Sequence, residues 1–227
     1  MRKIPGFSKM ENPGFFFCRI CYNILIIVFQ NGKKTGGNNL DRKKKMTRTM
    51  ICDSLKGLMH KHPFEKITIK MITDDAGVIR PTFYNYFYDK YEVLESILTE
   101  EIIDKVQLMF DQKMYNEGIK LLFVSMKNDE AFYRKAFQVG GQNSFAKMLE
   151  KHLFQLAMIV MEDSYIPPQT SNQIISRSLV ARHYSISLAS MLEAWICGEF
   201  RRFPTDDMVE AFLFILHHKI DDLVDLS

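Results

Sequence analysis

The clearest structural signal in the sequence is Ile67-Thr-Ile-Lys-Met-Ile-Thr-Asp-Asp-Ala-Gly-Val78. Thr68 precedes apolar residues that recur at helical spacing, and a threonine at such a position caps the N-terminus of a helix. Gly77 follows the last of these residues, and a glycine there adopts the left-handed conformation that ends a helix. The stretch therefore predicts a short helix that stops at a glycine turn.

A second short helix is expected directly after this turn, over residues 80–87. Two short helices around a glycine turn form a helix-turn-helix, whose second helix enters the major groove of DNA. Phe83 and Phe87 are four residues apart and would face the core. The other side carries polar and aromatic residues that suit contacts with bases and phosphates: Arg80, Thr82, Tyr84, Asn85 and Tyr86.

Longer helical patterns flank this unit. Upstream, Thr47 is a candidate N-cap for a helix that ends before Pro63. Downstream, Asp89 and Glu92 have the spacing of a capping box, which opens a fourth helix. Residues 46–92 are therefore expected to form a three-helix DNA-binding domain.

The run Ile67–Val78, followed by Thr82-Phe-Tyr-Asn-Tyr-Phe87 and Asp89-Lys90, resembles the DNA-binding domain of the TetR/AcrR family. The resemblance spans about residues 46–95. It implies an all-α fold, in which an N-terminal three-helix helix-turn-helix domain is followed by a helical domain for ligand binding and dimerisation. Ile79 departs from the family pattern, in which many members have a small hydroxyl residue, so the helix after it needs another cap.

The resemblance also implies roles for single residues. Thr68 and Lys90 would bind phosphates, and Tyr84 and Tyr86 would contact the DNA backbone through their hydroxyls. The remaining residues would face base edges or the nearby sugar: Arg80, Thr82 and Asn85. The alternatives are structural: the tyrosines would pack on the first helix, Arg80 and Lys90 would be solvated charges, and Thr68 would only cap its helix.

The charge distribution favours a polyanionic partner for the front of the chain. Residues 1–92 contain 17 Lys and Arg against 8 Asp and Glu, whereas residues 93–227 contain 13 against 19. A basic tail without a partner is the alternative. Four cysteines in 227 residues are too few for a disulfide scaffold and indicate a reduced, cytoplasmic setting.

The N-terminal segment, residues 1–45, differs in composition from the rest. It is expected to be disordered, or to be an extension that was wrongly assigned to the protein and is not translated in the cell. Its apolar run, Phe15–Phe29, is interrupted by Arg19 and Asn23, while a membrane-spanning helix needs about 20 apolar residues. We therefore expect no membrane association. Translation is expected to start at Leu40 or Met46, so that residues 1–39 would not be translated in either case. The basic cluster at residues 42–45 is expected to be an arm on the DNA backbone.

Residues 93–227 are expected to form a helical domain for effector binding and dimerisation. The last two helices are apolar beyond one stripe, which favours a four-helix interface in a homodimer over a monomer with a well-buried helix pair. A dimer would also match the two half-sites of a palindromic operator. The candidate interface residues are Met191, Leu192, Phe212 and Ile215.

This half resembles the regulators of dihydroxyacetone kinase operons in Phe132-Tyr-Arg-Lys-Ala136, in Gly141-Gln-Asn-Ser-Phe145 and around Trp195. The family resemblance further implies a pocket for a small-molecule effector between the middle helices. Ordinary core packing is the alternative role for the aromatic residues that are candidates to line it: Phe110, Phe132, Tyr133, Phe137, Phe154, Tyr184 and Trp195.

The sequence thus predicts a dimeric, sequence-specific regulator that binds double-stranded DNA, a repressor that a small molecule releases. The alternative is a DNA-binding regulator without a small-molecule response, which a partner protein controls or which acts constitutively. We expect no enzyme, because the chain has no Ser-His-Asp arrangement, His-Glu-x-x-His motif or dinucleotide fingerprint. The pair Cys18 and Cys21 and the scattered histidines do not predict a metal site, and no cofactor is expected.

Overall fold

The computed structural model describes residues 39–165 and 174–218. The chain divides into two compact units, residues 1–47 and residues 48–227. The predictions for residues 1–38 lie outside the described part.

The first helix begins earlier than expected. It is α1, Asn39–Lys61. Residues 42–45 belong to its first two helical turns, and their side chains are exposed. Thr47 is inside this helix, where its hydroxyl donates to the carbonyl oxygen of Lys43 at 3.1 Å. The predicted N-cap is therefore wrong, because the preceding leucine, arginine and lysines are strong helix formers that extend the helix upstream.

The helix-turn-helix follows α1 after a 3₁₀ turn at Phe64–Lys66. Its first helix is α2, Ile69–Ala76, and its second is α3, Arg80–Tyr84. Residues 85–87 continue from α3 as a turn, because the N–H groups of Tyr86 and Phe87 both donate to the carbonyl of Phe83. The α3 helix is thus shorter than the predicted residues 80–87.

The rest of the described chain is also helical, and no strand occurs in residues 39–165 or 174–218. The fourth helix is interrupted by a π-helical turn, Thr99–Ile103, between α4 and α5. Another 3₁₀ turn, Glu199–Arg202, precedes the last helix. The helices are α4 Lys90–Leu98, α5 Asp104–Asp111, α6 Tyr115–Asn128, α7 Glu130–Phe137, α8 Phe145–Ser164, α9 Arg177–Cys197 and α10 Thr205–His217.

Aromatic side chains are the largest fully buried residues in the hydrophobic core of the second unit. Phe83 and Phe87 are buried, as predicted. Trp195 is fully buried, and its indole N–H donates to the carbonyl of Phe203 at 3.1 Å, so its polar atom is satisfied. No helix among the described residues is long and apolar enough to cross a membrane.

Candidate DNA-reading surface and ligand cavity

Local contacts set the geometry of the helix-turn-helix. The hydroxyl oxygen of Thr68 accepts the Met71 N–H at 3.2 Å, which confirms Thr68 as the N-cap of α2. Gly77 has a φ of 66°, the left-handed conformation expected at the end of this helix. The hydroxyl of Ser54 donates to the carbonyl of Ile72 at 3.0 Å and ties α1 to α2. These contacts determine where α3 begins and in which direction it points.

The α3 helix presents part of the predicted reading face to solvent. Arg80, Tyr84 and Asn85 are exposed, whereas Thr82 and Tyr86 are half-buried. The guanidinium of Arg80 donates to the Tyr84 hydroxyl at 3.1 Å and is 5.6 Å from the centre of that ring. Arg80 and Tyr84 therefore form one exposed unit.

Two further exposed side chains on this surface were not assigned a DNA contact from the sequence. Ile79, at the N-cap position of α3, is 69% exposed and makes no side-chain cap hydrogen bond. Tyr88 is 83% exposed and directly follows the turn after α3. An apolar residue in a turn and a tyrosine at the end of an aromatic run have no distinctive sequence signal for exposure.

Lys90 is held by the protein itself. Its ammonium group donates to the carbonyl oxygens of Phe64, Glu65 and Ile67 at 2.7, 3.2 and 2.9 Å. Burial lowers the pKa of Lys90 below its ordinary value, although Glu65 and Asp89 act in the opposite direction. An ammonium has three donors, so these bonds use all of them. In this arrangement Lys90 anchors the 3₁₀ turn that leads into α2, and a phosphate contact stays a prediction.

Two carboxylates accept backbone N–H groups at the start of α4. A carboxylate oxygen of Asp89 accepts the N–H groups of Tyr91 and Glu92 at 2.8 and 2.9 Å, which confirms the predicted N-cap. The carboxylate of Glu92 reaches back to the Tyr88 N–H at 2.6 Å, one residue before the position of a standard capping box. These bonds fix the turn between α3 and α4.

A cluster of polar and charged residues links α1 to helices that follow the helix-turn-helix along the chain. Lys56 lies 2.7 Å from a carboxylate oxygen of Glu101 and 2.8 Å from one of Asp129. The hydroxyl of Tyr133 donates to the other Glu101 oxygen at 3.3 Å. We call Lys56, Glu101, Asp129 and Tyr133 the Lys56 cluster. It joins α1, the π-helical turn and α7.

Burial and the two carboxylates together set the charge states of this cluster. Burial by itself would lower the pKa of Lys56, but the hydrogen bonds and charges of Asp129 and Glu101 raise the pKa above its ordinary value. Burial, together with the charge of Glu101, raises the pKa of the Tyr133 hydroxyl. Lys56 is therefore a cation and Tyr133 a neutral donor at neutral pH.

Arg48 links α1 to the turn that follows α3. The guanidinium of Arg48 is 4.6 Å from the centre of the Phe87 ring. It also donates to Glu100 at 2.7 Å and to the Ser96 hydroxyl at 2.8 Å. Glu100 and Glu101, neighbours in the π-helical turn, thus bind two different cations of α1.

A cavity of about 300 Å³ lies within the helical domain. Helices α5, α6, α8, α9 and α10 contribute to its walls. The residues that line it are Val106, Phe110, Tyr115, Asn116, Ile119, Leu122, Leu153, Leu156, Ala157, Val160, Met161, Tyr184, Ser185, Leu188, Phe212, Leu216 and His217.

Two of the seven candidate pocket residues, Phe110 and Tyr184, line this cavity. Phe154 is half-buried, and the guanidinium of Arg182 is 5.1 Å from the centre of its ring. Four others are buried in the hydrophobic core and are not among the lining residues: Phe132, Tyr133, Phe137 and Trp195.

The candidate interface residues differ in exposure. Leu192 and Phe212 are buried within the chain, Met191 is half-buried, and Ile215 is 56% exposed. The same two helices carry other large apolar side chains that are exposed: Leu179, Tyr184 and Ile186 on α9, and Phe214 on α10.

Two family models match the chain. One is described as "Bacterial regulatory proteins, tetR family" and matches residues 51–97. The other is described as "Transcriptional regulator C-terminal region" and matches residues 113–217. The chain belongs to the TetR family. It is accordingly a DNA-binding transcriptional regulator and not an enzyme, and the predicted fold class is confirmed.

The TetR chain is similar to a curated regulator, the "HTH-type dhaKLM operon transcriptional activator DhaS" of Lactococcus lactis subsp. lactis (strain IL1403). The two are 26% identical over 98 residues, which are 43% of this chain and 52% of DhaS. The match therefore spans about half the length of that relative. It agrees with the resemblance to regulators of dihydroxyacetone kinase operons.

Solved TetR structures share the fold. The dihydroxyacetone kinase operon activator DhaS superimposes with a TM-score of 0.54 at 20% identity, covering 75% of this chain and 93% of that one. A TetR-family regulator from Syntrophomonas wolfei str. Goettingen gives 0.58 at 16% identity, covering 81% and 99%. One from Streptococcus agalactiae 2603V gives 0.57 at 16% identity, covering 78% and 97%.

Proposed function

We propose that this TetR regulator acts as a homodimer on a palindromic operator, and that a small molecule in the cavity releases it from DNA. The observation that carries the proposal is the exposed unit of Arg80 and Tyr84 on α3, with Asn85 beside it. An arginine that reaches guanine and an asparagine that reaches adenine are common specific contacts in the major groove.

The dimer rests on the exposed apolar side chains of α9 and α10. Leu179, Ile186, Phe214 and Ile215 are each more than a third exposed. A patch of this kind, on two neighbouring helices, is typical of a self-complementary interface. Pairing around a two-fold axis would place two α3 helices at half-sites about one helical turn apart.

The Lys56 cluster is the proposed route from the cavity to the reading surface. Val106 and Phe110 line the cavity on α5, which continues through the π-helical turn into α4. Glu101 in that turn holds Lys56 of α1, and α1 is bonded to α2 through Ser54. A ligand that shifts α5 would therefore act on the position of the helix-turn-helix.

The first experiment is selection from a randomised duplex library at two salt concentrations. We expect an enriched palindrome with half-sites about one helical turn apart. Binding without an enriched sequence, lost steeply with salt, would contradict base reading, because phosphate contacts alone behave in this way.

The Arg80→Ala variant tests the assigned reader. We expect it to weaken operator binding by about 1–3 kcal/mol and to relax the preference at one base pair. The matched control is Lys147→Ala, which removes an exposed cation of α8 and is expected to leave the base preference unchanged.

Reporter expression with and without the operator determines the sign of regulation. We expect repression, and loss of repression when the cavity is occupied. DhaS is by its name an activator, so activation is the outcome to compare with repression. Activation from the same operator would overturn the repressor assignment and leave the DNA-binding assignment intact. Control by a partner protein would appear as operator binding that no small molecule changes.

A further inference from the structure

We infer that the cavity takes an uncharged, largely apolar molecule with one hydrogen-bond donor, about 9–15 non-hydrogen atoms in size at the packing density of protein interiors. The inference rests on the proposed function, because it names the ligand class of the same cavity. It is carried by three features of the cavity: its lack of charged side chains, a buried serine hydroxyl and its volume.

The first feature is the chemistry of the walls. Most of the lining residues are aliphatic or aromatic, and none of those in the described ranges is Asp, Glu, Lys or Arg. A charged ligand would lose its hydration in this cavity and would meet no carboxylate, ammonium or guanidinium group among the described lining residues, which costs far more than the apolar contacts return. An anionic or cationic effector is therefore disfavoured.

Charged cavity walls do occur elsewhere in the described part of the chain. A second cavity, of about 340 Å³, lies between the start of α4 and the start of α8. Its walls include Glu92, Glu95, Lys147 and Lys151. Glu95 already accepts hydrogen bonds from Lys151 at 2.9 Å and contacts His152 at 3.1 Å. The chain thus places charges in one cavity and excludes them from the other.

The second feature is Ser185, which lines the apolar cavity and is only 2% exposed. Its hydroxyl donates to the carbonyl of Arg182 at 3.0 Å, so the serine oxygen keeps its capacity to accept. A ligand hydroxyl or N–H can donate to this oxygen. The other polar groups of the wall are less buried: Tyr115 is half-buried, and Asn116, Tyr184 and His217 are exposed, so Ser185 is its most buried polar residue.

The third feature is the volume, about 300 Å³, at the lower end of the usual range for small-molecule sites. A polyhydroxylated ligand of the same size would bury several hydroxyls against apolar walls, and each unpaired one would be costly. A medium-chain alcohol satisfies all three features.

Calorimetric titration of the full chain with 1-octanol, octanoate and octylamine at pH 7.5 tests the ligand class. The three probes share one chain length and differ in charge. We expect 1-octanol to bind and the two charged probes to bind at least about tenfold more weakly, because their charges would be desolvated. Equal or tighter binding of octanoate or octylamine would overturn the inference, and so would failure of 1-octanol to bind.

Two variants and one control variant locate the binding site. Ala157→Phe fills the cavity and is expected to abolish 1-octanol binding, whereas Gln155→Phe, at an exposed position of the same helix, is expected to preserve it. Ser185→Ala is expected to weaken 1-octanol binding several-fold and to leave the charged probes unchanged. Thermal unfolding of each variant shows that it is folded. Equal 1-octanol binding by the wild type and Ala157→Phe would place the ligand elsewhere and overturn the assignment.

The outcomes separate the ligand class from the proposed function. Operator selection without any ligand tests DNA reading alone, and calorimetry without DNA tests the cavity alone. If 1-octanol binds but leaves operator affinity unchanged, the ligand class stands and the small-molecule release of the operator is wrong.

Discussion

At the scale of single residues, the sequence motif and the structure indicate different roles for the Lys90 side chain. The family motif places it at the start of α4, where it would meet a phosphate. The structure gives its ammonium three carbonyl partners in the segment just before α2. Its first role is thus to position Thr68 and the helix that Thr68 caps.

This role makes a prediction for Lys90→Met. Loss of the charged hydrogen bonds is expected to lower the free energy of unfolding by about 1–3 kcal/mol, because the three carbonyls lose a charged donor. Urea unfolding of the full chain measures it. The control is Lys70→Met on α2, whose side chain is 82% exposed, and we expect it to leave stability nearly unchanged. Unchanged stability of Lys90→Met with weaker DNA binding would show that Lys90 serves only as a phosphate contact.

At the scale of helices, two glycines inside α1 and α6 have opposite environments. A Cβ added to Gly57 would meet no atom within 4 Å. A Cβ added to Gly118 would lie 2.7 Å from a ring carbon of Phe110, which is buried and lines the cavity. Gly118 thus lets the Phe110 ring pack directly against α6 and form part of the cavity wall.

The two glycines make a matched pair of substitutions. Gly57→Ala is expected to raise the free energy of unfolding by about 0.5–1 kcal/mol, because alanine favours the helix. Gly118→Ala gains the same propensity but overpacks the core, which typically costs about 1–3 kcal/mol, so we expect a net loss of stability. Chemical unfolding of both variants measures the difference. Stabilisation by Gly118→Ala would show that the Phe110 ring moves freely.

At the scale of the whole molecule, the prediction concerns communication between the cavity and the helix-turn-helix. Ala157→Phe occupies the cavity and is expected to lower operator affinity about fivefold or more, the usual lower limit of allosteric coupling. In a Lys56→Met background the same change is expected to have less than about a twofold effect, because the link between α1 and Glu101 is lost. Fluorescence anisotropy with labelled operator measures the four affinities of this cycle.

The control for the cycle is Gln155→Phe, which adds the same ring at an exposed position and is expected to leave operator affinity unchanged in both backgrounds. An equal effect of Ala157→Phe with and without Lys56 would rule out the Lys56 cluster as the route. The DNA-reading and cavity assignments would be unaffected by that result.

Much of the DNA-binding half could be predicted because its geometry is local. The caps at Thr68, Gly77 and Asp89 involve partners within five residues, and the spacing of residue types shows such contacts directly. The sequence does not show that α1 begins at Asn39, because a run of charged helix formers extends a helix without any capping signal. It also does not show that α3 ends at Tyr84, because residues 85–87 form a turn with helix-like bonds.

The all-α class, the helix-turn-helix and the family can be predicted from consecutive residues, because capping residues and helical spacing are local. Helix packing sets which aromatic residues line the cavity, since core and pocket positions share the same helical spacing. Helix packing also sets the partners of Lys90 and Lys56, whose contacts are 23 to 73 residues away along the chain. Such pairs form when helices pack, and no local pattern records which side chains then meet.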